Sequence, residues 1–323
     1  MRLTVLNVLA AMSAVAVSPL PTSVPVLLAT AIGTTLCSAS ANTLNQIQEV
    51  PFDAQMARTR MRPLVRRAIS PLHATGFALV TGIAGPAILW TMVNPTVALL
   101  GAGNIALYAG AYTWLKRKSI VNTWVGALVG AVPPLMGWSA GGGHLLPSSA
   151  HPVEIFLPSF LSSVPLDATL VDNPLAPLAL SILLFCWQFP HFMSIAHFQR
   201  ESYAQGGYRM LSVLSPTKNA LVSLRHALLL IPVCSILIPL SGITTWTFAA
   251  VSLVPNLIAA EAAWSFWRQV SDKQARRVFQ HSLWYLPVML GLMMICKRGL
   301  DWSSWMGSGA EEEVASDPEV SAT

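Results

Sequence analysis

The sequence predicts an all-α polytopic membrane protein built as a bundle of nine transmembrane helices, and three observations lead there. First, of 323 residues 54% are hydrophobic and only 10% are charged, against roughly 25% charged in a soluble domain. Second, apolar runs of membrane-spanning length recur along the whole chain, and lipid admits only segments that satisfy their own backbone, as a helix does. Third, the cations fall in short stretches between alternate runs, the pattern that orients a membrane protein. The length alone would suit two soluble domains; the repeated spans argue for one bundle.

The runs fall near 3–19, 24–44, 72–93, 95–115, 119–138, 175–198, 221–240, 244–263 and 280–296. Several hold proline, as at Pro86, Pro133, Pro134, Pro232, Pro255 and Pro287, which membrane helices tolerate because neighbours re-satisfy the freed carbonyls. Tyr112, Trp114, Trp138, Trp246 and Trp267 lie near run ends, where amphipathic rings suit the headgroup layer. Arg2 precedes the first run, and Arg58, Arg60, Arg62, Arg66 and Arg67 follow the second. Lys116, Arg117 and Lys118 follow the fourth, Arg200, Arg209, Lys218 and Arg225 the sixth, and Arg268, Lys273, Arg276 and Arg277 the eighth. Only Lys297 and Arg298 fall on the other face. Adding or removing one span would scramble this alternation, so the parity is odd, with the N-terminus on the positive side.

The net charge of +5 therefore orients the chain and does not mark a nucleic-acid partner; the partner is the lipid bilayer. Cys37, Cys186, Cys234 and Cys296 are far apart, each inside an apolar run, and read as small buried hydrophobes. The first run starts at Leu3, and nothing Arg- and Ser-rich precedes it; either a leading segment is missing or targeting is internal. The stretch 140–174, opening on Gly141-Gly142-Gly143, reads as a long loop on the uncharged side, with a surface-lying segment at 155–164. The bundle is expected to occupy 1–306. The tail 307–323, with Glu311-Glu312-Glu313, is polar and aperiodic and reads as disordered. No internal repeat is evident.

Asn45, Glu49 and Asp53 are spaced i, i+4, i+8, which places all three on one helical face; Pro51 is expected to bend that helix near its end. Two carboxylates and an amide oxygen suit Mg²⁺, which takes few protein oxygens and leaves positions for phosphate and water. Arg58, Arg60 and Arg62 follow at once, and guanidinium forks match phosphate geometry. A solvated loop with orienting arginines would account for the arginines equally well. It accounts less well for Glu49 and Asp53, two of very few acids beside an apolar body.

The stretch 42–67, NTLNQIQEVPFDAQMARTRMRPLVRR, closely resembles the first motif of the protoheme IX farnesyltransferase (heme O synthase) family, within the UbiA prenyltransferase superfamily. Its Glu-Val-Pro-Phe-Asp form is similar to the mitochondrial branch. Further resemblances run in order: YTWLKRKSIVNTW at 112–124, GALVGAVPPLMGW at 126–138, WQFPHF at 187–192, YAQGGYRMLSV at 203–213, and 283–298. Together they cover roughly residues 3–298.

The resemblance implies a nine-helix fold with a polar cavity on the matrix side of the mitochondrial inner membrane. It implies Mg²⁺ as cofactor, farnesyl diphosphate and heme b as substrates, and heme O as product on the way to heme A and cytochrome c oxidase, with heme A synthase as a candidate partner. Ionisation of the diphosphate leaves an allylic cation, the heme vinyl group attacks it, and water completes the side chain. Asn45, Glu49 and Asp53 then fall in the first metal motif, and Arg58 and Arg62 in its basic continuation. Lys116 and Arg117 match a Lys-Arg pair that contacts diphosphate, whereas Lys118 reads as an orienting charge. Tyr203 and Arg209, in the stretch after the sixth span, are expected to bind diphosphate too. Asn122 and Trp124 match, although buried packing explains Asn122 as well.

Phe52, Tyr112 and Trp187 are candidates to face the allylic cation, with packing the commoner role for such rings. His191, in Pro-His-Phe, is a candidate heme contact or proton-transfer group beside the plain reading of a bonded core histidine. His197 has weaker support for such a role, and His226, which stands where the family has Arg-His, reads equally well as packing or as function. The second acidic motif departs from the family: Glu201-Ser202-Tyr203 sets a hydroxyl where a carboxylate is common, so Glu201 is expected to carry the acidic role, with Ser202 as a neutral ligand. A Lys-Pro before the first helix is also absent. Transfer to a quinone-precursor ring is the alternative within the class. A transporter would be expected to show symmetry between halves, and an inactive assembly protein would not need Glu49 and Asp53.

Overall fold

The computed structural model describes residues 2–18, 20–158, 161 and 172–299. The predicted tail at 307–323 lies outside them, as does most of 159–171. Every regular element among the described residues is a helix. In chain order these are α1 (Arg2–Val17), α2 (Val24–Asp53), α3 (Pro71–Met92) and α4, which runs Pro95–Ala106, widens into a π turn over Leu107–Tyr112 and ends as Thr113–Leu115. Next come α5 (Asn122–Ala140), α6 (Leu175–Phe198) and the short α7 (Arg200–Gln205) and α8 (Leu211–Leu214). Last are α9 (Pro216–Leu240, with a π turn at Val233–Leu237), α10 (Thr247–Arg268, kinked after Val251) and α11 (Asp272–Ile295). Leaving out the two short helices, nine rods remain among the described residues, in the expected order. Six of them (α2, α3, α6, α9, α10 and α11) are long and apolar enough to cross a membrane by length and composition. α1 is a shorter apolar helix.

The starts of these helices follow local chemistry. Ser70 and Asn94 accept from His73 N at 3.2 Å and Val97 N at 2.9 Å, each followed by proline at the first helical position; a side-chain acceptor then a proline is the favoured opening. Ser215 before Pro216 and Ser271 before Asp272 do the same for α9 and α11. The apolar run ends near residue 44, and the helix continues past it, as the i, i+4, i+8 spacing of Asn45, Glu49 and Asp53 expects, through Pro51 to Asp53.

Small residues set the packing, as expected where no hydrophobic effect drives helices together in lipid. α2 and α3 meet so closely that a Cβ on Gly85 would lie 2.9 Å from Cys37 N, and Ser40 Oγ donates to Ala78 O at 2.7 Å. A Cβ on Gly137 of α5 would lie 1.9 Å from Ala11 O of α1. The largest apolar core gathers Trp138, Leu183, Phe248, Tyr285 and Met289 from α5, α6, α10 and α11. All four cysteines are free and buried, as packing groups would be.

The loop between α5 and α6 crosses the bundle end that carries Lys297 and Arg298, the Arg298 guanidinium lying 4.4 Å from the Phe156 ring centre. Phe156 N donates to Leu240 O at 3.0 Å, and Trp246 Nε1 donates to Phe156 O at 3.1 Å. The part of the predicted surface-lying segment that is described, 155–158 and 161, is non-helical chain. Lys297, one of two cations that break the charge pattern, donates to Ala16 O at 2.8 Å and Ser18 O at 2.7 Å. It thereby satisfies carbonyls that the end of α1 leaves open.

Candidate functional site

The site is built on one face of α2. Asn45, Glu49 and Asp53 are 4%, 4% and 1% exposed, stacked a turn apart because the helix persists past Pro51. Proline removes one backbone bond, to the Ile47 carbonyl, without breaking the last turn. Each polar group on this face has a partner from elsewhere in the chain. Asn45 Nδ2 donates to Thr113 Oγ1 at 2.8 Å, and that hydroxyl donates to Tyr108 O at 2.8 Å. Lys116 Nζ donates to Glu49 Oε1 at 2.8 Å. Arg62 is bonded to Asp53 Oδ2 and lies 3.8 Å from Glu49 Oε2. Thr59 Oγ1 donates to Asp53 O at 3.0 Å, holding the Arg58–Arg62 turn against the helix end.

Two buried carboxylates thus face two cations, and one acceptor is left over. Asp53 Oδ1 is buried with no hydrogen-bond partner, and an orphaned carboxylate oxygen fits a cation supplied from outside the chain. Tyr208 of the Gly206-Gly207-Tyr208 turn closes over the acids. Burial, with the Glu49 and Asp53 carboxylates beside it, holds its hydroxyl far above the usual range, so it remains a neutral phenol. Gly207 has φ +69°, a left-handed backbone that glycine adopts without strain.

The other predicted residues divide. Tyr203 is buried beside Met56 and Tyr208, with the Arg58 guanidinium 5.9 Å from its ring centre. Arg117 lies over Phe52 at 4.0 Å. Arg209 is exposed; its N donates to Lys116 O at 2.9 Å, and its guanidinium donates to Lys118 O at 3.4 Å. None of these three arginines pairs with the acids among the described residues. Lys118 Nζ lies 3.7 Å from the Trp114 ring centre, away from the acids. Glu201, in the first turn of α7, is exposed and makes no hydrogen bond or ion pair among the described residues. Ser202 Oγ, next to it, is buried and unpartnered. The structure therefore does not join the second acidic motif to the first by any direct contact.

Below the acids the same face of α2 continues into a cavity of about 300 Å³ among α1, α2, α4, α5 and α6. Its lining is largely apolar and includes Cys37, Asn42, Tyr112, Trp187 and His191. Tyr112 joins the two regions, since its ring centre lies 4.6 Å from Lys116 Nζ. His197 and His226 behave as packing residues: His197 Nε2 lies 3.4 Å from Asp272 Oδ1, and the His226 ring stacks on Phe189 at 3.6 Å. Sequence reading missed three residues packed around this face: Thr59, bonded to the Asp53 carbonyl, Thr113, bonded to Asn45, and Tyr208, beside the carboxylates. Tyr208 had a signal, the paired glycines before it; the threonines had none.

A polar, acid-bearing helix face that opens into an apolar intramembrane cavity defines a class, the enzymes that handle a charged head and a lipid tail together. The chain belongs to the UbiA prenyltransferase family, whose model matches residues 5–284. It is 44% identical to the mitochondrial protoheme IX farnesyltransferase of Neurospora crassa over 97% of this chain and 62% of that protein. With the Saccharomyces cerevisiae enzyme of the same name it shares 41% identity over 93% of this chain and 68% of that protein. The chain spans about three fifths of the length of the first relatives it matches. Among solved structures it superposes on digeranylgeranylglyceryl phosphate synthase with a TM-score of 0.68 at 13% identity, covering 91% of this chain and 94% of that one. A UbiA homolog from Archaeoglobus fulgidus bound to DMAPP and Mg²⁺ gives 0.58 at 14% identity, covering 91% and 97%. These two likenesses establish the fold.

Proposed function

We propose that the chain transfers a farnesyl group from farnesyl diphosphate to a vinyl group of heme b, giving heme O for the heme A and cytochrome c oxidase pathway. The observation that carries this reading is the face of α2, on which two buried, cation-paired carboxylates lead into a largely apolar cavity. The relatives named protoheme IX farnesyltransferase support heme b as the acceptor. The same relatives are named mitochondrial; the proposal extends this to the inner membrane, with the acid-bearing end toward the matrix and heme A synthase as a downstream partner. The activity is assigned to a single membrane domain that includes the described residues through Gly299.

Glu49 and Asp53 would hold Mg²⁺ together with the Asn45 oxygen, and Asp53 Oδ1 is the oxygen free to receive it. Glu201 and Ser202 of α7 would be the further ligands to such an ion. Bound there, Mg²⁺ supplies positive charge to a leaving diphosphate. Arg62 and Lys116 hold the carboxylates in place. Arg58, Arg117 and Arg209, together with the Tyr203 and Tyr208 hydroxyls, meet the diphosphate oxygens as the C–O bond breaks, which lowers the barrier where negative charge grows. The isoprenoid tail and the acceptor ring occupy the cavity, where the faces of Tyr112 and Trp187 favour the allylic cation.

The test is to incubate the detergent-extracted chain with heme b, farnesyl diphosphate and Mg²⁺ and to look for heme O by mass. Product from the wild type, lost in Asp53→Ala, is expected. Equal product from both, or prenylation of a quinone-precursor ring in place of heme b, would overturn the reading.

A further inference from the structure

His191 and Trp187 stand one turn apart on α6, and both are fastened to Ser282 of α11. Trp187 Nε1 donates to Ser282 O at 3.1 Å, and the two rings stack at 5.0 Å. Ser282 Oγ donates to Phe279 O at 2.6 Å. A hydroxyl has one proton to give, so the same oxygen meets His191 Nδ1, 2.8 Å away, as an acceptor. Nδ1 is therefore the protonated nitrogen, and the lone pair of the neutral ring lies on Nε2. Nε2 has no protein partner, is not sealed from space, and belongs to a residue lining the cavity.

The cavity has a second property. Thr34 Oγ1, Asn104 Oδ1 and Thr123 Oγ1 are buried without partners, and all three residues line it. The Asn104 amide nitrogen is already committed to Val129 O at 3.2 Å, the carbonyl that Pro133 leaves without its helical donor. Beside an isoprenoid chain alone these oxygens would be costly misfits, so they mark positions where water completes the hydrogen bonding. Among the described residues, the lining contains no Asp, Glu, Lys or Arg, and His191 carries its one basic nitrogen.

We propose that His191 Nε2 is the base that takes the proton of the water closing the reaction, and that Ser282 is the positioning residue that fixes its tautomer. This deepens the transfer reaction proposed above and rests on it. In that reaction the C–O bond of farnesyl diphosphate breaks and its electron pair leaves with diphosphate. The vinyl π pair forms the new C–C bond, leaving a cation on the vinyl carbon next to the porphyrin. A water lone pair then forms the C–O bond, and one water proton passes to Nε2, giving an imidazolium that releases it before the next turnover. When Nε2 is not there to take the water proton, the cation instead loses a neighbouring C–H proton to the released diphosphate, and the product is lighter by one water.

The experiment uses the full chain in detergent with heme b, farnesyl diphosphate and Mg²⁺. It reads diphosphate release, retention of heme b by absorbance, and the ratio of hydroxylated to dehydrated product by mass. In His191→Gln, diphosphate release and heme retention are expected to persist. Hydroxylated product should fall by about 10²-fold while the dehydrated adduct rises. Ser282→Ala should shift the ratio the same way by about tenfold, and Ser282→Thr should restore it. Only hydroxylated product from His191→Gln, at any rate, would overturn the assignment. So would loss of heme b from that variant, which would make the ring an iron ligand. Absence of farnesylated heme from the wild type would instead overturn the transfer reaction, and the base with it.

Discussion

Glu49 shows how finely the acids are balanced. Its carboxylate is 4% exposed and has Lys116 as its close partner, because Arg62 is already bonded to Asp53. Lys116→Met should strand a buried charge, which costs about 3 kcal/mol in comparable sites. The variant should therefore melt below the wild type by thermal-shift assay. Millimolar Mg²⁺ should recover more stability in the variant than in the wild type, since it replaces the missing ammonium. An identical Mg²⁺ response in both proteins would show that Glu49 and Lys116 do not share the metal site. The acids themselves were legible in the sequence, because a period of four on a helix needs no tertiary information. Their pairing was not, since Lys116 lies 67 residues from Glu49 and meets it only through the packing of α4 on α2. Glu201 shows the converse: motif order placed it at the metal, yet the chain sets it exposed and unpaired among the described residues.

At the scale of elements, the turn at Leu107–Tyr112 decides which way Lys116 faces. A π turn takes in one extra residue while the flanking segments keep their faces, so Tyr108 and Lys116, eight apart, look toward α2 together. α2 holds the widened turn with two side chains, Gln48 Nε2 donating to Ala109 O at 2.9 Å and Asn45 reaching Tyr108 O through Thr113. Deleting the exposed Gly110 should convert the turn to plain α-helix and leave Lys116 on α2. Deleting Ala109 and Gly110 together should rotate the end of the helix by about 100° and cut turnover at least tenfold, with helix content by circular dichroism unchanged. A single deletion as harmful as the double would show that the turn does not set the register. The sequence marked this helix as a span, with boundaries near 95 and 115, but not its wide turn, because an inserted residue leaves no trace in hydropathy. The helical period of the acids on α2 was legible, but not what covers them: that polar face is buried against Thr113, Lys116 and Tyr208.

For the whole molecule, the alternation of cations predicted an orientation, and the packing accounts for one of its two exceptions. Lys297 donates to the carbonyls that close α1, so it serves the fold at that end and need not count toward orientation. With Lys297 set aside, Lys118 and the loop around Ser148 belong to opposite ends of the bundle, and both residues are exposed. The four native cysteines are buried, so the background for thiol labelling is low. Lys118→Cys and Ser148→Cys, expressed in sealed inner-membrane vesicles of known sidedness, should react with an impermeant maleimide from opposite sides. Lys118→Cys should be protected by farnesyl diphosphate, because it neighbours Arg117 and its carbonyl accepts from Arg209; Ser148→Cys should not. Labelling of both from one side would remove the odd parity, and with it the topology that puts α2's acids and the mouth of the cavity on a common face.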